Sequence, residues 1–321
     1  MAVYTEVSDE ELASFVAGYD LGKVLSCKGI AEGVENTNYL LVTERGSFIL
    51  TLYEKRVRPD DLPFFLDLME HLAARGLDCP QPVRARDGQA LRTLCGRQAA
   101  IVTFLPGLWP RRVRPEHCAG LGEALARLHL AGVDFPRQRP NNLSVGGWRP
   151  LLEAAGARAD EVKAGLADEL ARELDALEAG WPDGLPSGVI HADLFPDNVF
   201  FQGDRVSGLI DFYFACTDAF AYDIAICLNA WCFEANGEFN ATKARLLLAN
   251  YRRVRPLSAE EMDRLPLLCR GGAMRFLLTR LYDWLNTPAG AFVKRKDPLE
   301  YLGKLRFHAR VRGPGDYGLD P

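Results

Sequence analysis

Val189-Ile190-His191-Ala192-Asp193-Leu194-Phe195-Pro196-Asp197-Asn198-Val199-Phe200-Phe201, with Gly208-Leu209-Ile210-Asp211-Phe212 close behind it, is the stretch that decides how the chain is read. Apolar residues flank a His-x-Asp, an Asn stands five positions after that Asp, and a second Asp ends the next apolar run. Transfer of a phosphoryl group from a nucleoside triphosphate needs such a set. One carboxylate receives or orients the proton of the acceptor hydroxyl, and oxygen ligands hold a divalent cation that offsets the phosphate charge. Asp193 fits the first role, and Asn198 and Asp211 fit the second. A lone His-x-Asp would be an ordinary polar contact, and Asp197 with Asn198 could serve only to turn the loop. The Asn spacing and the two flanking strands separate this stretch from both cases.

Outward from that stretch, the chain changes character once. Strands are expected at Val24 to Ile30, Asn38 to Thr43 and Ser47 to Tyr53, with a tight turn at Glu44-Arg45-Gly46. A helix follows, with Asp61 as its cap, Pro63 in its first turn, and Leu62, Phe65, Leu66, Met69 and Leu72 on one face. Gly76 and the Cys-Pro-Gln-Pro segment stop it. Two more strands are expected near Ala90–Leu94 and Gln98–Leu105, and Pro106-Gly107 ends the unit. Beyond a Pro- and Arg-rich connector the chain reads as mainly helical. Leu121, Leu125 and Leu128 mark one helix, Val162 to Leu177 a second, and Ser258 to Leu285 a long amphipathic one. Short strands lie at Val189-Ile190, Val199–Phe201 and Val206–Ile210. The expectation is an α+β chain with a small β-rich lobe over 1–105 and a larger, mainly helical lobe over 106–321.

Bulk properties remove other classes. With 321 residues, 48% of them hydrophobic, the chain can bury a large core. A net charge of −5 argues against a nucleic-acid binder, which would carry a basic surface. No apolar run approaches the roughly 18 residues of a membrane span, so no membrane partner is expected. The opening MAVYTEVSDEE lacks a signal-peptide pattern, and the eight cysteines form no Cys-x-x-Cys pair. Reduced thiols and a cytoplasmic location follow as expectations.

The His191/Asp193/Asn198/Asp211 pattern resembles the protein-kinase catalytic loop H-R-D-x-x-x-x-N with its later metal-binding Asp. The whole order resembles the aminoglycoside/choline kinase-like phosphotransferases, which share a two-lobed protein-kinase-like fold. Within that group the chain is most similar to the bacterial homoserine kinases, through GVENTNYLLVTERGSFILTLYE (33–54), LPFFLDLMEHLAARGLDCPQPV (62–83), FLPG (104–107), LGEALARLHLAG (121–132) and NNLSVGGW (141–148). The resemblance implies ATP and Mg²⁺ as cofactors and L-homoserine as acceptor, in a step of threonine biosynthesis. Choline, ethanolamine, an aminoglycoside or a thiosugar would be the acceptors of related branches. It further implies Asp193 as the base, His191 as a brace of the loop, and Asn198 and Asp211 as metal ligands. Gly33, Asn36, Thr37 and Asn38 would lie in the phosphate-covering loop. Residues 103–107 would be the hinge, with main-chain groups of Thr103 and Leu105 meeting the adenine.

One position departs from the pattern. Kinase-like folds carry a Lys on the third strand, paired with a helix Glu, whereas here that strand position is Thr51. Lys55, Lys28, Arg56 and Arg58 are the cations that could substitute, and Glu70 is the helix candidate. A zwitterionic acceptor needs both a cation and a carboxylate. Arg275, Arg280 and Asp283, beside Tyr282, Trp284 and Tyr213, are the candidates, with helix-surface ion pairs as the other reading. His129 reads as structural.

Overall fold

The computed structural model describes residues 4–31, 36–54, 58–287 and 295–319. Two units emerge: Met1–Gly107 with Phe135–Arg137 and Ser207–Tyr213, and the remainder of the chain.

The first unit opens with a helix that the sequence reading passed over, α1 (Asp9–Val16). Its signal is Ser8-Asp9-Glu10-Glu11. The Ser8 hydroxyl accepts the Glu11 N–H, and the Glu11 carboxylate accepts the Ser8 N–H, a reciprocal capping box. Leu12, Phe15 and Val16 give it one buried face. Next come β1 (Val24–Gly29), β2 (Thr37–Thr43), β3 (Gly46–Leu52), α2 (Leu62–Ala74), β4 (Leu91–Leu94) and β5 (Arg97–Thr103). The strands form one antiparallel sheet in the order β1-β2-β3-β5-β4.

Strand alternation then sorts β3. Leu50 pairs with Tyr39 and Ile101, and together with Leu41, Leu52 and Ala99 these side chains pack with α1 in one core. Each buried leucine or isoleucine among them contributes about 1.5–3 kcal/mol on burial. Thr51, between two core leucines, faces the other way opposite Asn38 and Ala100. In α2 the predicted face of Leu62, Phe65, Leu66, Met69 and Leu72 is buried, and Gly76 takes the left-handed φ of +81° that ends the helix. Asp61 holds the cap position but its side chain makes no cap hydrogen bond. A 3₁₀ turn at Pro59–Asp61 precedes the helix and leaves Asp61 in helical backbone geometry (φ −85°, ψ −19°), where a capping residue would be extended.

The second unit holds α3 (Pro115–Ala131), α4 (Val145–Ala155), α5 (Leu166–Gly180), β6 (Ser187–Ile190), β7 (Val199–Gln202), β8 (Arg205–Leu209), β9 (Cys216–Ala219), α6 (Phe220–Trp231), α7 (Ala241–Val254), α8 (Ala259–Asn286) and α9 (Pro298–His308). The end of β8, with Ile210–Tyr213, groups with the first unit. β6 pairs antiparallel with β9, a strand absent from the sequence reading. The helix expected from Val162 begins only at Leu166, after Gly165 in a left-handed conformation. Helix α3 lies so close to α7 that a Cβ at Gly122 would sit 2.1 Å from the Leu247 carbonyl oxygen. That packing matters because each helix carries one residue of the network described next. Among the described residues no helix is long and apolar enough to cross a membrane.

Candidate active site

β6 ends at Ile190 and β7 begins at Val199, so the catalytic-loop candidates hang between two short strands. Ala192 adopts φ +63°. A left-handed non-glycine residue costs about 1–2 kcal/mol and needs outside support. That support comes from Asp223 on α6, fully buried, which accepts the His191 N–H (2.7 Å) and the Ala192 N–H (2.9 Å). Two further α6 side chains, at i+4 and i+8 on the same face, reach the loop. Trp231 donates its indole N–H to the Leu194 carbonyl (2.8 Å), and the Cys227 thiol lies 4.0 Å from the same oxygen. Asn198, in the 3₁₀ turn Pro196–Asn198, donates its amide to the Asp193 carbonyl (2.8 Å) and lies 3.4 Å from the Asp193 carboxylate. The buried His191 ring accepts the Asp193 N–H at Nδ1 (3.3 Å). Asp193 itself is half-buried.

A polar chain stands behind Asp223. His129 of α3 donates from Nε2 to Asp223 (3.2 Å) and accepts at Nδ1 from the Tyr251 hydroxyl of α7 (2.7 Å). Arg255 donates to the Tyr251 oxygen (3.2 Å) and to buried Glu261 (2.9 Å). Burial acts to raise the Asp223 pKa, but the hydrogen bonds it accepts, led by that from His129, hold it below the ordinary carboxylate value. Burial lowers the His129 pKa. The pair is therefore an ionised carboxylate and a neutral imidazole, which suits an acceptor of two main-chain N–H groups.

The described residues expected around the nucleotide belong to the first unit, where the polar side chains among them are engaged. Thr51 donates its hydroxyl to Asn38 Oδ1 (2.8 Å). Thr37 donates to Glu54 (2.9 Å) and accepts the Tyr4 and Thr5 N–H groups. Asn36, buried, accepts the Glu54 N–H (3.3 Å). The Thr103 N–H donates to the Gln81 carbonyl and its hydroxyl oxygen accepts the Gln81 N–H, both at 2.9 Å. Leu105 packs so tightly on Gly208 that a Cβ there would lie 2.7 Å from its side chain. Glu70 pairs with Arg84 (2.6 Å), at the surface. Lys28 and Arg58 are exposed, while Gly33, Lys55 and Arg56 lie outside the described residues.

Asp211 is exposed in the first unit, at φ +64°. Tyr213 beside it is hydrogen-bonded to Tyr53 (3.1 Å), and burial pushes its pKa up to about 12, so it belongs to the packing of that unit. The acceptor candidates on α8 diverge. Arg275 is buried and turned to the Ala192 carbonyl (2.5 Å). Arg280 pairs with Glu300 (2.6 Å), Tyr282 is 43% exposed, and Trp284 stacks under Arg295.

The model of the phosphotransferase enzyme family matches residues 26–257, which include the loop, Asp211 and Asp223. The chain belongs to this family. Homoserine kinase of Paramagnetospirillum magneticum is 70% identical over the full length of both chains, and that of Rhodospirillum rubrum is 69% identical over 99% of each. Among solved structures, an amicoumacin kinase in complex with AMP-PNP, Ca²⁺ and Ami superposes with a TM-score of 0.71 at 16% identity, covering 94% of this chain and 92% of that one. A microcompartment-associated aminopropanol kinase superposes at 0.63 and 19% identity, covering 98% of this chain and 99% of that one. These structures share the α+β, kinase-like fold. Sequence reasoning about this phosphotransferase missed Asp223. Its signal was the one acidic residue inside the mainly apolar run Phe220–Trp231, whose only other strongly polar member is Asn229; burial in such a helix calls for a hydrogen-bonded role.

Proposed function

We propose that the chain transfers the γ-phosphoryl group of ATP to the terminal hydroxyl of L-homoserine, giving O-phospho-L-homoserine and ADP. The observation that carries this reading is the full-length, 65–70% identity to several homoserine kinases, with the phosphotransfer residues present in the sequence. Asp193 takes the hydroxyl proton as the new O–P bond forms and the bond to the β-phosphate oxygen breaks. His191 and Asn198 fix the loop that carries it.

Asn198 and Asp211 offer an amide oxygen and a carboxylate, the hard oxygen donors that Mg²⁺ takes alongside phosphate oxygens. No group of three or more His, Cys, Asp or Glu side chains is placed to hold a metal among the described residues. A sparse two-residue set is the kind Mg²⁺ uses when phosphates complete its shell, and there it offsets triphosphate charge. Main-chain groups of residues 103–107 and of the 29–38 segment are the proposed nucleotide contacts. The lobe boundary remains at 105/106 in this proposal, and the site of action is the cytoplasm.

ADP release measured with L-homoserine, L-serine, 3-amino-1-propanol, choline and an aminoglycoside tests the reading. Homoserine should exceed 3-amino-1-propanol, which lacks the carboxylate, by roughly 10²–10⁴ in kcat/KM. Serine, one methylene shorter, should react poorly because its hydroxyl stops short of Asp193. A higher kcat/KM for choline or the aminoglycoside overturns homoserine and leaves the phosphotransfer chemistry standing.

A further inference from the structure

Arg275 is 2% exposed, yet among the described residues it has no carboxylate within ion-pair distance. A buried guanidinium without an anion costs several kcal/mol of desolvation, which its contacts with neutral groups must offset. Its short hydrogen bond runs from Nη1 to the carbonyl of Ala192 (2.5 Å), while its face lies against the rings of Phe276 and Phe214. Nε is buried with no hydrogen-bond partner, and the buried Tyr222 hydroxyl lies beside the guanidinium, which leaves the Ala192 carbonyl as its one hydrogen-bond acceptor of good geometry among the described residues.

Ala192 is the left-handed residue immediately before Asp193. Its N–H is held by the negative Asp223 and its C=O by the positive Arg275. The two charges grip opposite ends of one residue and oppose its relaxation to a right-handed conformation. Because Asp193 follows directly, rotation at Ala192 would swing its carboxylate. The location of α8 allows the reach. Gly272 stands where a Cβ would lie 3.3 Å from Asn229 of α6, and Gly271 where one would enter the Trp181 ring, so α8 runs close to both.

We infer that Arg275 is a positioning residue for phosphoryl transfer, which fixes the direction of Asp193 through the Ala192 carbonyl. The inference rests on Asp193 being the base, and it distinguishes Arg275 from a ligand of the acceptor carboxylate.

The test compares wild type with Arg275→Lys and Arg275→Met. For each, kcat and KM are measured with homoserine, 3-amino-1-propanol and ATP, and with water as acceptor in slow ATP hydrolysis. Rates are normalised to the fraction that binds nucleotide, so a partly unfolded sample is not read as an inactive one. A positioning role predicts kcat lower by roughly 10–10² in Arg275→Met, the cost of a misplacement of about 1 Å, and a smaller loss in Arg275→Lys. The loss should be the same factor for homoserine and 3-amino-1-propanol, with KM for ATP unchanged. A loss confined to homoserine and seen as raised KM would make Arg275 a carboxylate ligand and overturn the inference. Unchanged kcat per nucleotide-binding site would make it structural only, and overturns it too. If wild type ignores homoserine, the function reading fails by itself. The same comparison with the preferred acceptor and with water then still decides Arg275.

Discussion

The loop at 191–198 and the third strand of the sheet at Thr51 handle polar groups in opposite ways. At the His191–Ala192 turn of the loop the partners are charged and buried: Asp223 takes two N–H groups, Arg275 takes a carbonyl, and His129, Tyr251 and Arg255 stand in a line behind Asp223. Around Thr51 they are neutral: the Asn38 amide, and Tyr213 bonded to Tyr53. A charge in a buried place is kept where direction must not drift, because charge-assisted bonds are stronger and narrower in geometry than neutral ones. The difference assigns precision to the loop and leaves the strand a tolerant support.

The largest expected effect breaks the loop side directly. Asp193→Ala should lower kcat by roughly 10²–10⁴ while nucleotide binding persists, because the lost group acts at the hydroxyl proton. Steady-state rates and nucleotide titration check it, and near-normal turnover would refute the base assignment. Asp223→Ala should cost about 3–5 kcal/mol of stability in urea unfolding, since it leaves two buried N–H groups and the His129 N–H without an acceptor. A loss under about 1 kcal/mol would mean that the loop holds its shape without α6.

Asp211→Ala sharpens the comparison from the first unit, where an exposed carboxylate stands in a left-handed backbone. Affinity for ATP with Mg²⁺ should fall by at least about tenfold, and Asn198→Ala should fall less because a neutral ligand is lost. Equal titrations with and without the Asp211 carboxylate would remove it from the ligand set.

Acid should weaken the helical unit first. Burial pushes His308, hydrogen-bonded to Tyr317 and Asn229, down to about 3. A lowered imidazole pKa means that the unfolded chain binds the proton more readily. The stability is complete above the ordinary value and is lost as pH falls below about 6.5, at up to roughly 1.4 kcal/mol per pH unit. Urea unfolding between about pH 7 and about pH 5 should show at least that slope, and His308→Gln should reduce it, with buried His129 keeping its own share. An unchanged slope in the variant would place the acid sensitivity elsewhere. The smallest effect is on the strand. Thr51→Val should cost about 1 kcal/mol and change KM for ATP less than about threefold. A large KM effect would erase the contrast between the two regions.

Much of this was legible in the chain itself. Alternation over 37–53 fixed which side of the sheet Leu50 and Thr51 occupy, because side-chain direction in a strand is set by backbone pleat alone. The His191-x-Asp193-x₄-Asn198 spacing pointed to phosphotransfer because those groups lie within one short loop, where local geometry brings Asn198 to the Asp193 carbonyl. The Ser8–Glu11 box was equally local and was overlooked only because its helix is two turns long.

What tertiary structure alone decided is who holds that loop. Asp223 is 30 positions downstream of Asp193, and Arg275 is more than 80 positions from Ala192. On the sequence Arg275 looks like its neighbour Arg280, one more cation on an amphipathic helix. Packing separates them. Close approach at Gly271 and Gly272 turns one inward to a carbonyl, and Arg280, itself largely covered, meets the exposed Glu300. Helical periodicity gives a residue its face, but what lies opposite that face depends on contacts between distant segments, which no local pattern encodes.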